Sequence, residues 1–310
     1  MQVHKGIHNL PNFKNAVLTI GTYDGVHFGH QQIIKRINDI ATAINGESIL
    51  LTFDPHPRLI LNPKDTTLKL ISTIDEKIEL LNSFELDHLV IAEFSKDFAA
   101  MDAEEYVQKI LIDNFHPKKI VIGYDHHFGK NRSGNIDLLR KLASKYNYEV
   151  EEISAQTLDE ISVSSTKVRN ALLHGDIQQA NQFLAHPFTI KGKVVHGDKI
   201  GRILGFPTAN IEISYPHKLI PASGVYAVKI KINQQYYKGA LSIGYRETVF
   251  DNSKLTIEVF ILDFDGDLYN QELDMIFVQF LREQIKYENW ELLKLQIEKD
   301  VADVRQAVNI

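Results

Sequence analysis

Short apolar runs alternate with amphipathic stretches through the first half of the chain. The runs predict buried strands, and the stretches between them place apolar residues at helical spacing. Strands separated by helices form a parallel sheet with right-handed crossovers. The pattern predicts a Rossmann-like α/β domain with ligands at the carboxyl ends of its strands. The predicted strands are Ala16–Ile20, Ser48–Phe53, His88–Ala92, Lys119–Gly123 and Tyr148–Ile153, and the predicted helices are Gln31–Ala43, Asp75–Phe84, Ala103–Phe115 and Ile136–Tyr146.

The pattern changes after residue 160. Two short helices are predicted over Ser164–His174 and Asp176–Ala185. Beyond Pro187 the closely spaced strands Gly224–Ile232, Tyr236–Gly244, Leu255–Phe264 and Glu272–Phe280 predict an antiparallel β-barrel. A terminal helix is predicted over Asn289–Val308, with an apolar stripe of Trp290, Leu293, Ile297, Val301 and Val304. We therefore expect two domains, residues 1–185 and 186–310.

Composition narrows the class of protein. The 310 residues are 44% hydrophobic and 24% charged, which is typical of a globular chain, and the net charge is −6. This acidic balance argues against a nucleic-acid or membrane-surface partner. The chain has no cysteine, which excludes disulfides and thiolate chemistry. No apolar run is long enough for a signal peptide or a membrane span. We expect a cytoplasmic protein, as a monomer or weak homo-oligomer.

A first cluster of chemistry lies in the segment GTYDGVHFGH, between a predicted strand and a predicted helix. Its glycines allow tight turns and close approach of the backbone to a ligand: Gly21, Gly25 and Gly29. His27 and His30 are three residues apart and share one side of a helix N-terminus, a natural site for phosphate. Two alternatives remain open. The histidines could bind a metal, although no third ligand lies at a usual spacing, or they could be surface residues.

A second cluster falls at the start of the predicted helix after residue 163. Ser164, Ser165 and Thr166 offer hydroxyl and backbone N–H groups to phosphate oxygens. Lys167 and Arg169 add positive charge, and arginine binds phosphate bidentately. Taken alone, such a segment is more often a simple helix cap than a phosphate site.

A third cluster opens the C-terminal half, in GKVVHGDKIGRILGFPTAN. Its glycines predict a flexible flap that can approach phosphates, and its lysines and arginine supply charge: Gly192, Lys193, Gly197, Lys199, Gly201, Arg202 and Gly205. Thr208 and Asn210 offer neutral oxygen ligands, which suit Mg²⁺ held mainly by ATP phosphates. A glycine-rich β-turn is the alternative.

The first two clusters resemble a known family. His27–His30 looks like the HxGH signature of nucleotidylyltransferases, and the longer string TIGTYDGVHFGHQQII resembles the adenylyltransferase half of bacterial bifunctional riboflavin kinase/FAD synthetases. The resemblance implies catalytic roles for His27, His30, Thr166, Lys167 and Arg169. It implies ATP contacts for Gly21, Tyr23, Asp24, Gly29, Ser164 and Ser165, and flavin contacts for Asp54, His56 and Asp125. Asp24 is also consistent with holding its loop through backbone N–H groups.

The third cluster closely resembles the riboflavin kinase signature. The resemblance implies that Gly192, Lys193 and Gly201 contact ATP, that Thr208 and Asn210 bind Mg-ATP, and that Arg282 and Glu283 line the flavin site. Glu258 is implied as the general base for the ribityl hydroxyl, at the inner face of a strand. Because Ile257 and Val259 alternate with Glu258, the pattern leaves open which face of the strand is wet.

Together these resemblances imply phosphorylation of riboflavin to FMN and adenylylation of FMN to FAD. Riboflavin, FMN and ATP are then substrates, Mg²⁺ accompanies ATP, and FMN and FAD are products rather than prosthetic groups. Two segments depart from the family pattern, His126–His127 and Ser242–Val249. They motivate an alternative in which only FMN is adenylylated and the kinase half is impaired. A flavin-binding regulator without turnover and a transferase for another phosphorylated acceptor are further alternatives.

Overall fold

The computed structural model describes residues 1–65, 67–124, 126–153, 163–197, 201, 205–246 and 254–310. Contacts within the chain divide it into two compact units, Met1–Ser165 and Thr166–Ile310.

A six-stranded parallel sheet forms the centre of the first unit, in the order β1-β4-β3-β2-β5-β6. The chain order reverses at β2, whose neighbours are β3 and β5. In doubly wound sheets this reversal opens a crevice at the carboxyl ends of the strands, where ligands bind. The strands are β1 Gln2–Lys5, β2 Val17–Ile20, β3 Ser48–Asp54, β4 His88–Glu93, β5 Lys119–Gly123 and β6 Glu149–Ile153.

Helices cover both faces of this sheet. Alternate residues of a strand serve opposite cores: Leu18 and Ile20 pack in one cluster, and Val17 packs with α1 in the other. This explains why the strands are continuous apolar runs. The helices are α1 Phe28–Ala43, α2 Pro57–Leu61, α3 Ile74–Leu81, α4 Lys96–Ala99, α5 Ala103–Tyr106, α6 Asp113–Phe115 and α7 Ile136–Tyr146, with a π-helix at Val107–Ile112 and 3₁₀ turns at Asn82–Phe84 and Lys130–Arg132.

The second unit begins with two helices and continues as a closed barrel, in the order β10-β11-β8-β7-β12-β9. Inward-facing side chains such as Val228, Leu241 and Val259 are fully buried, so the barrel interior is a packed core. The elements are α8 Ser165–Leu173, α9 Ile177–Leu184, β7 Thr189–Val195, β8 Thr208–Glu212, β9 Gly224–Ile232, β10 Gln235–Arg246, β11 Lys254–Ile261, β12 Glu272–Arg282 and α10 Trp290–Ala307.

The predicted fold class is confirmed, and three details differ. β1 was not predicted, because Gln2–Lys5 is mostly exposed at a sheet edge and has no apolar run. The predicted flap contains two barrel strands, β7 and β8. Gly192 is therefore not part of a flap: it is buried in β7 opposite Leu273, and a Cβ there would lie 2.4 Å from Ile211.

The apolar stripe of the terminal helix is only partly covered. Val304 is fully buried in a cluster with Ala227, and Val301 packs against it. At the beginning of the helix Trp290 is 59% exposed, contrary to the prediction that its side chain joins a buried stripe. Only the second half of α10 therefore anchors the helix to the outside of the barrel wall.

Candidate active sites

The loop Gly21–His27 joins β2 to α1 at the point where the sheet order reverses. Its backbone is constrained, because Tyr23, Gly25 and Val26 all have left-handed conformations, with φ of 47°, 80° and 42°. Such conformations are costly for residues with a Cβ, and most of all for a β-branched residue. Gly25 has no room for a side chain, since a Cβ would lie 2.7 Å from Ile71.

Asp24 holds this loop from within. The residue is 2% exposed, and its carboxylate accepts hydrogen bonds from the backbone N–H groups of Ile71 (3.2 Å) and Ser72 (3.1 Å). Ser72 Oγ accepts a hydrogen bond from Gly25 N at 3.0 Å. The hydroxyl of Ser165 donates to the Asp24 carbonyl oxygen at 3.1 Å. Asp24 thus anchors the loop, and its direct contact with ATP stays a prediction.

His27 and His30 lie together at the N-terminus of α1. Their rings stack with centroids 3.6 Å apart, and Tyr23 packs on His30 at 4.6 Å. Burial lowers the pKa of His30 well below its ordinary value, and His27 and Lys77 act in the same direction. Within the described residues no hydrogen-bond partner lies at His30 Nδ1. Two stacked imidazoles at a helix N-terminus are suited to phosphate oxygens.

Lys77 on α3 is a member of this site that sequence reasoning missed. Its ammonium group donates to the Thr22 carbonyl oxygen at 2.6 Å and to Thr52 Oγ1 at 3.4 Å. Only 5% of the residue is exposed. The predicted helix included Lys77, but a helical pattern alone does not show that this side chain reaches the carboxyl ends of β2 and β3. A lysine within an apolar helical face was the available signal.

Of the three flavin contacts predicted in the first unit, the two that the structure describes, Asp54 and His56, have different surroundings. Asp54 is exposed at the end of the strand. His56 is buried, and its Nδ1 accepts a hydrogen bond from Arg58 N at 3.1 Å, so that it caps α2. This contact gives His56 a structural role in the loop. Asp125 lies outside the described residues.

A row of aromatic rings, unpredicted from the sequence, leads away from Asp54. Neighbouring rings are 5.2 to 5.8 Å apart. Burial raises the pKa of the Tyr106 hydroxyl, and that hydroxyl has no hydrogen-bond partner among the described residues. The aromatic row consists of Phe53, Phe94, Phe98, Tyr106 and Phe128.

The second site lies on the outer wall of the barrel. Glu258 on β11 stands directly opposite Asn210 on β8 and Ser242 on β10, so the three side chains share one face. The neighbours of Glu258 in sequence, Ile257 and Val259, are buried in the barrel. The expectation that Glu258 occupies the inner face is therefore wrong, because the apolar interior takes its neighbours and leaves Glu258 outside.

Hydrogen bonds and close packing order this face. Thr208 Oγ1 donates to Glu258 Oε2 at 3.0 Å. Gly197 makes room for Asn210, since a Cβ at residue 197 would lie 2.1 Å from the Asn210 amide nitrogen. Ser242 accepts a hydrogen bond from Gln284 Nε2 at 2.7 Å. The contact with Gln284 was not predicted, because the two residues are distant in sequence.

Among the other residues predicted for the kinase site, Lys193 and Gly201 differ in their surroundings in the described part of the chain. Lys193 is exposed on β7, opposite Glu212 and Glu272 on the neighbouring strands. The Gly201 carbonyl accepts a hydrogen bond from Phe206 N at 2.8 Å. Lys199, Arg202 and residues 247–249 lie outside the described residues.

Arg282 and Glu283 do not pair with each other through their side chains. The Arg282 guanidinium instead forms a two-pronged ion pair with Asp300 of α10, at 2.8 and 2.7 Å. Glu283 is exposed. Arg282 therefore ties the end of β12 to the terminal helix.

Comparison with known proteins gives the same two halves. Residues 10–167 match the family model described as FAD synthetase, and residues 184–308 match the model described as riboflavin kinase. The chain belongs to the family of bifunctional riboflavin kinase/FMN adenylyltransferases. Because both halves of the family are present, both activities are assigned to the chain, rather than adenylylation alone.

Relatives in this family align over nearly the whole chain. A bifunctional riboflavin kinase/FMN adenylyltransferase of Listeria monocytogenes is 38% identical over 94% of this chain and 92% of its own length. Proteins of the same description from Pseudomonas fluorescens and Escherichia coli are 37% and 33% identical, over 98% and 99% of this chain and 97% of their own lengths.

A solved structure has the same overall fold. The Streptococcus pneumoniae protein, described as a macrolide-efflux protein, matches with a TM-score of 0.88 and 29% identity, covering 98% of both chains. That description applies to the Streptococcus protein. In the described part of the present chain, none of the helices has the length and apolar character needed to cross a membrane.

Proposed function

We propose that the outer wall of the barrel phosphorylates riboflavin, with Glu258 as the general base. The carboxylate takes the proton of the ribityl 5′-hydroxyl while that oxygen attacks the γ-phosphorus of ATP. The bond from the γ-phosphorus to the β,γ-bridging oxygen breaks, and ADP leaves. The hydrogen bond from Thr208 supports this role, because it fixes the orientation of the Glu258 carboxylate on the outer wall.

The oxygen ligands on this wall fit Mg²⁺. Thr208 donates its hydrogen to Glu258, so the lone pairs of its oxygen stay available to a cation, and the Asn210 carbonyl lies on the same face. The described residues contain no group of three or more His, Cys, Asp or Glu side chains that would hold a metal unaided. This suits Mg²⁺, because proteins bind this ion through few side-chain ligands and the phosphates of ATP complete its coordination shell. When bound, Mg²⁺ neutralises charge on the phosphates.

We propose that the β2–α1 loop carries the adenylylation. An oxygen of the FMN phosphate attacks the α-phosphorus of ATP, the bond to the α,β-bridging oxygen breaks, and pyrophosphate leaves. His27 and His30 at the helix N-terminus stabilise the developing charge. Thr166, Lys167 and Arg169 are proposed to assist, since they lie in the first turns of the helix that begins at Ser165, whose hydroxyl is bound to the loop. Gly21, Gly29 and Ser164 are proposed to supply backbone contacts.

The aromatic row is proposed to receive the flavin ring of FMN. The row begins at Phe53 and Phe94, where strands β3 and β4 end, next to the exposed carboxylate of Asp54. Aromatic faces and edges pack favourably against a planar ring system. Arg282 and Glu283 remain proposed flavin contacts of the kinase half, and Gly192, Lys193 and Gly201 proposed ATP contacts.

The broader expectations for this chain stay predictions. The domain boundary at residue 185 falls close to residue 184, where the riboflavin kinase match begins. We propose a cytoplasmic location and a monomer or weak homo-oligomer. Nucleic acid and membrane are not proposed as partners.

One experiment tests the proposed function directly. The full chain is incubated with riboflavin, ATP and Mg²⁺, and the flavins are separated by chromatography over time. We expect FMN to appear first and FAD to follow. A parallel reaction starting from FMN isolates the second step. FAD from FMN without FMN from riboflavin would contradict the kinase assignment, and the reverse pattern would contradict the adenylyltransferase assignment.

A further inference from the structure

Lys77 is a buried cation to which the mechanism above gives no part. Its Nζ donates to two neutral groups, the Thr22 carbonyl oxygen at 2.6 Å and the Thr52 hydroxyl at 3.4 Å. Lysine is rarely buried unless it is paired, because removing its charge from water is costly. A lysine that is 5% exposed at the edge of a phosphate-binding loop therefore requires an explanation.

Stability does not supply that explanation. Burial lowers the pKa of Lys77 to about 8, although Asp24 and Asp54 both act to raise it. The group remains mostly charged at neutral pH, and the direction of the shift means that folding opposes its charge. An apolar side chain of similar length would avoid this cost.

The contacts of Lys77 point instead to the loop. The Thr22 carbonyl accepts from Lys77 and from Thr52 Oγ1, at 2.6 and 3.2 Å. A trans peptide points its C=O and N–H in opposite directions, so holding this carbonyl fixes the whole Thr22–Tyr23 peptide. This peptide directly precedes the residues with left-handed conformations, Tyr23, Gly25 and Val26, which lead to His27.

The charge of Lys77 acts on the same site. The carboxylates that influence its ammonium group are Asp24 and Asp54, and two anionic substrates must bind beside them. His30 experiences the opposite influence. Among the residues that the structure describes, the titratable groups facing His30 are His27 at the N-cap of α1, Tyr23 from the loop and Lys77 from α3.

We propose that Lys77 is a positioning residue of the adenylyltransferase site, whose ammonium group fixes the entry of the Gly21–His30 loop and offsets the two neighbouring carboxylates. This inference rests on the proposed adenylyltransferase function. Lys77 acts through the loop and through His30, and no contact with substrate is assigned to it.

The test uses the full chain, because riboflavin phosphorylation by the second unit gives an internal measure of enzyme concentration in each preparation. Lys77→Met is compared with Lys64→Met, the same change at an exposed lysine. We expect Lys77→Met to lower kcat for FAD formation from FMN about a hundredfold, with a smaller change in KM for ATP. Lys64→Met should match the wild type, and all variants should phosphorylate riboflavin equally.

A pH profile separates this role from a purely structural one. Removing the cation removes one of the influences that lower the pKa of His30, so the acid limb of kcat/KM should move to higher pH. Lys77→Gln keeps N–H donors but removes the charge. We expect it to recover part of kcat while showing the same displaced acid limb.

The outcomes are distinct. Wild-type kinetics in both Lys77 variants would overturn this inference alone. A loss that is uniform across pH, with an unmoved acid limb, would also overturn it and assign Lys77 a structural role. Failure of the wild type to convert FMN to FAD would instead overturn the proposed function, and this inference with it.

Discussion

Thr208 donates a hydrogen bond to Glu258 across two adjacent barrel strands, at 3.0 Å between Oγ1 and Oε2. The two residues are not directly opposite in the strand register, since Asn210 takes the place across from Glu258. Thr208 therefore reaches along the wall to the carboxylate. This contact links the proposed metal ligand to the proposed base.

Glu258→Gln tests the base. The amide retains the shape of the side chain but accepts a proton poorly, so riboflavin phosphorylation should fall roughly a hundred- to ten-thousandfold. FMN adenylylation should be unchanged. Glu212→Gln, on an exposed glutamate of the neighbouring strand, is the matched control. Equal loss of both activities in Glu258→Gln would argue against a separate kinase base.

Thr208→Val tests the link between ligand and base. Valine has the same shape but no hydroxyl, and a hydrogen bond to a charged group contributes about 1.5–3 kcal/mol. That corresponds to a decrease of roughly ten- to hundredfold in kcat/KM for riboflavin phosphorylation. Thr208→Ser keeps the hydroxyl and should retain most activity. If the two variants behave alike, the hydroxyl has no part in the reaction.

Gly25→Ala tests the constrained loop of the first unit. Gly25 and Gly6 both have left-handed φ, 80° and 86°, but only at Gly25 would a Cβ meet a neighbour, at 2.7 Å. Both alanine variants carry a cost of about 1–2 kcal/mol for the conformation. Gly25→Ala should cost about 1–3 kcal/mol more through overpacking. Urea unfolding of the two variants measures the difference, and equal midpoints would contradict it.

His4 gives the first unit a predicted pH dependence. Burial lowers the pKa of His4 below its ordinary value of 6.5, and His88 acts in the same direction. His4 Nε2 lies 3.1 Å from His88 Nδ1, and the far side of His88 faces Glu47 at 3.6 Å. Between the folded and unfolded pKa values the unfolded chain binds more protons. The free energy of unfolding should therefore be highest above about pH 6.5 and decrease as the pH falls.

Urea unfolding at several values between about pH 5 and 7.5 measures this dependence. His4→Gln removes the titrating group and should flatten the slope in this range. A slope that is identical in the variant and the wild type would assign the pH dependence to other groups.

The architecture was accessible from the sequence because its signals are local. Buried parallel strands are continuous apolar runs, and the predicted Gly224–Ile232 agrees with β9 at both ends. The turn between β9 and β10 is also set by local residues, since Asn233 and Gln234 both have positive φ. β7 and β8 were missed because glycines in their neighbourhood suggested a loop. In a barrel, those glycines instead allow strands and side chains to approach closely.

The candidate sites were only partly accessible. Motifs located His27, His30, Thr208 and Glu258, because each lies in a distinctive string. Lys77 belongs to no such string, and its role depends on contacts with residues 55 and 25 positions away. The Arg282 contact with Asp300 likewise depends on where α10 packs. Such pairings are set by tertiary structure, which the periodicity of one segment does not report.

The position of Glu258 on the outside of the barrel separates two demands on the same strand. The inward residues of β11 contribute to the stability of the barrel, and the outward residues form the face on which the proposed reaction takes place. Volume-conserving changes at Ile257 or Val259 can therefore alter the resistance of the second unit to unfolding while the reactive face keeps its composition. Because side chains alternate between the two faces of the strand, the stability of the kinase half and the composition of its reactive face can change independently.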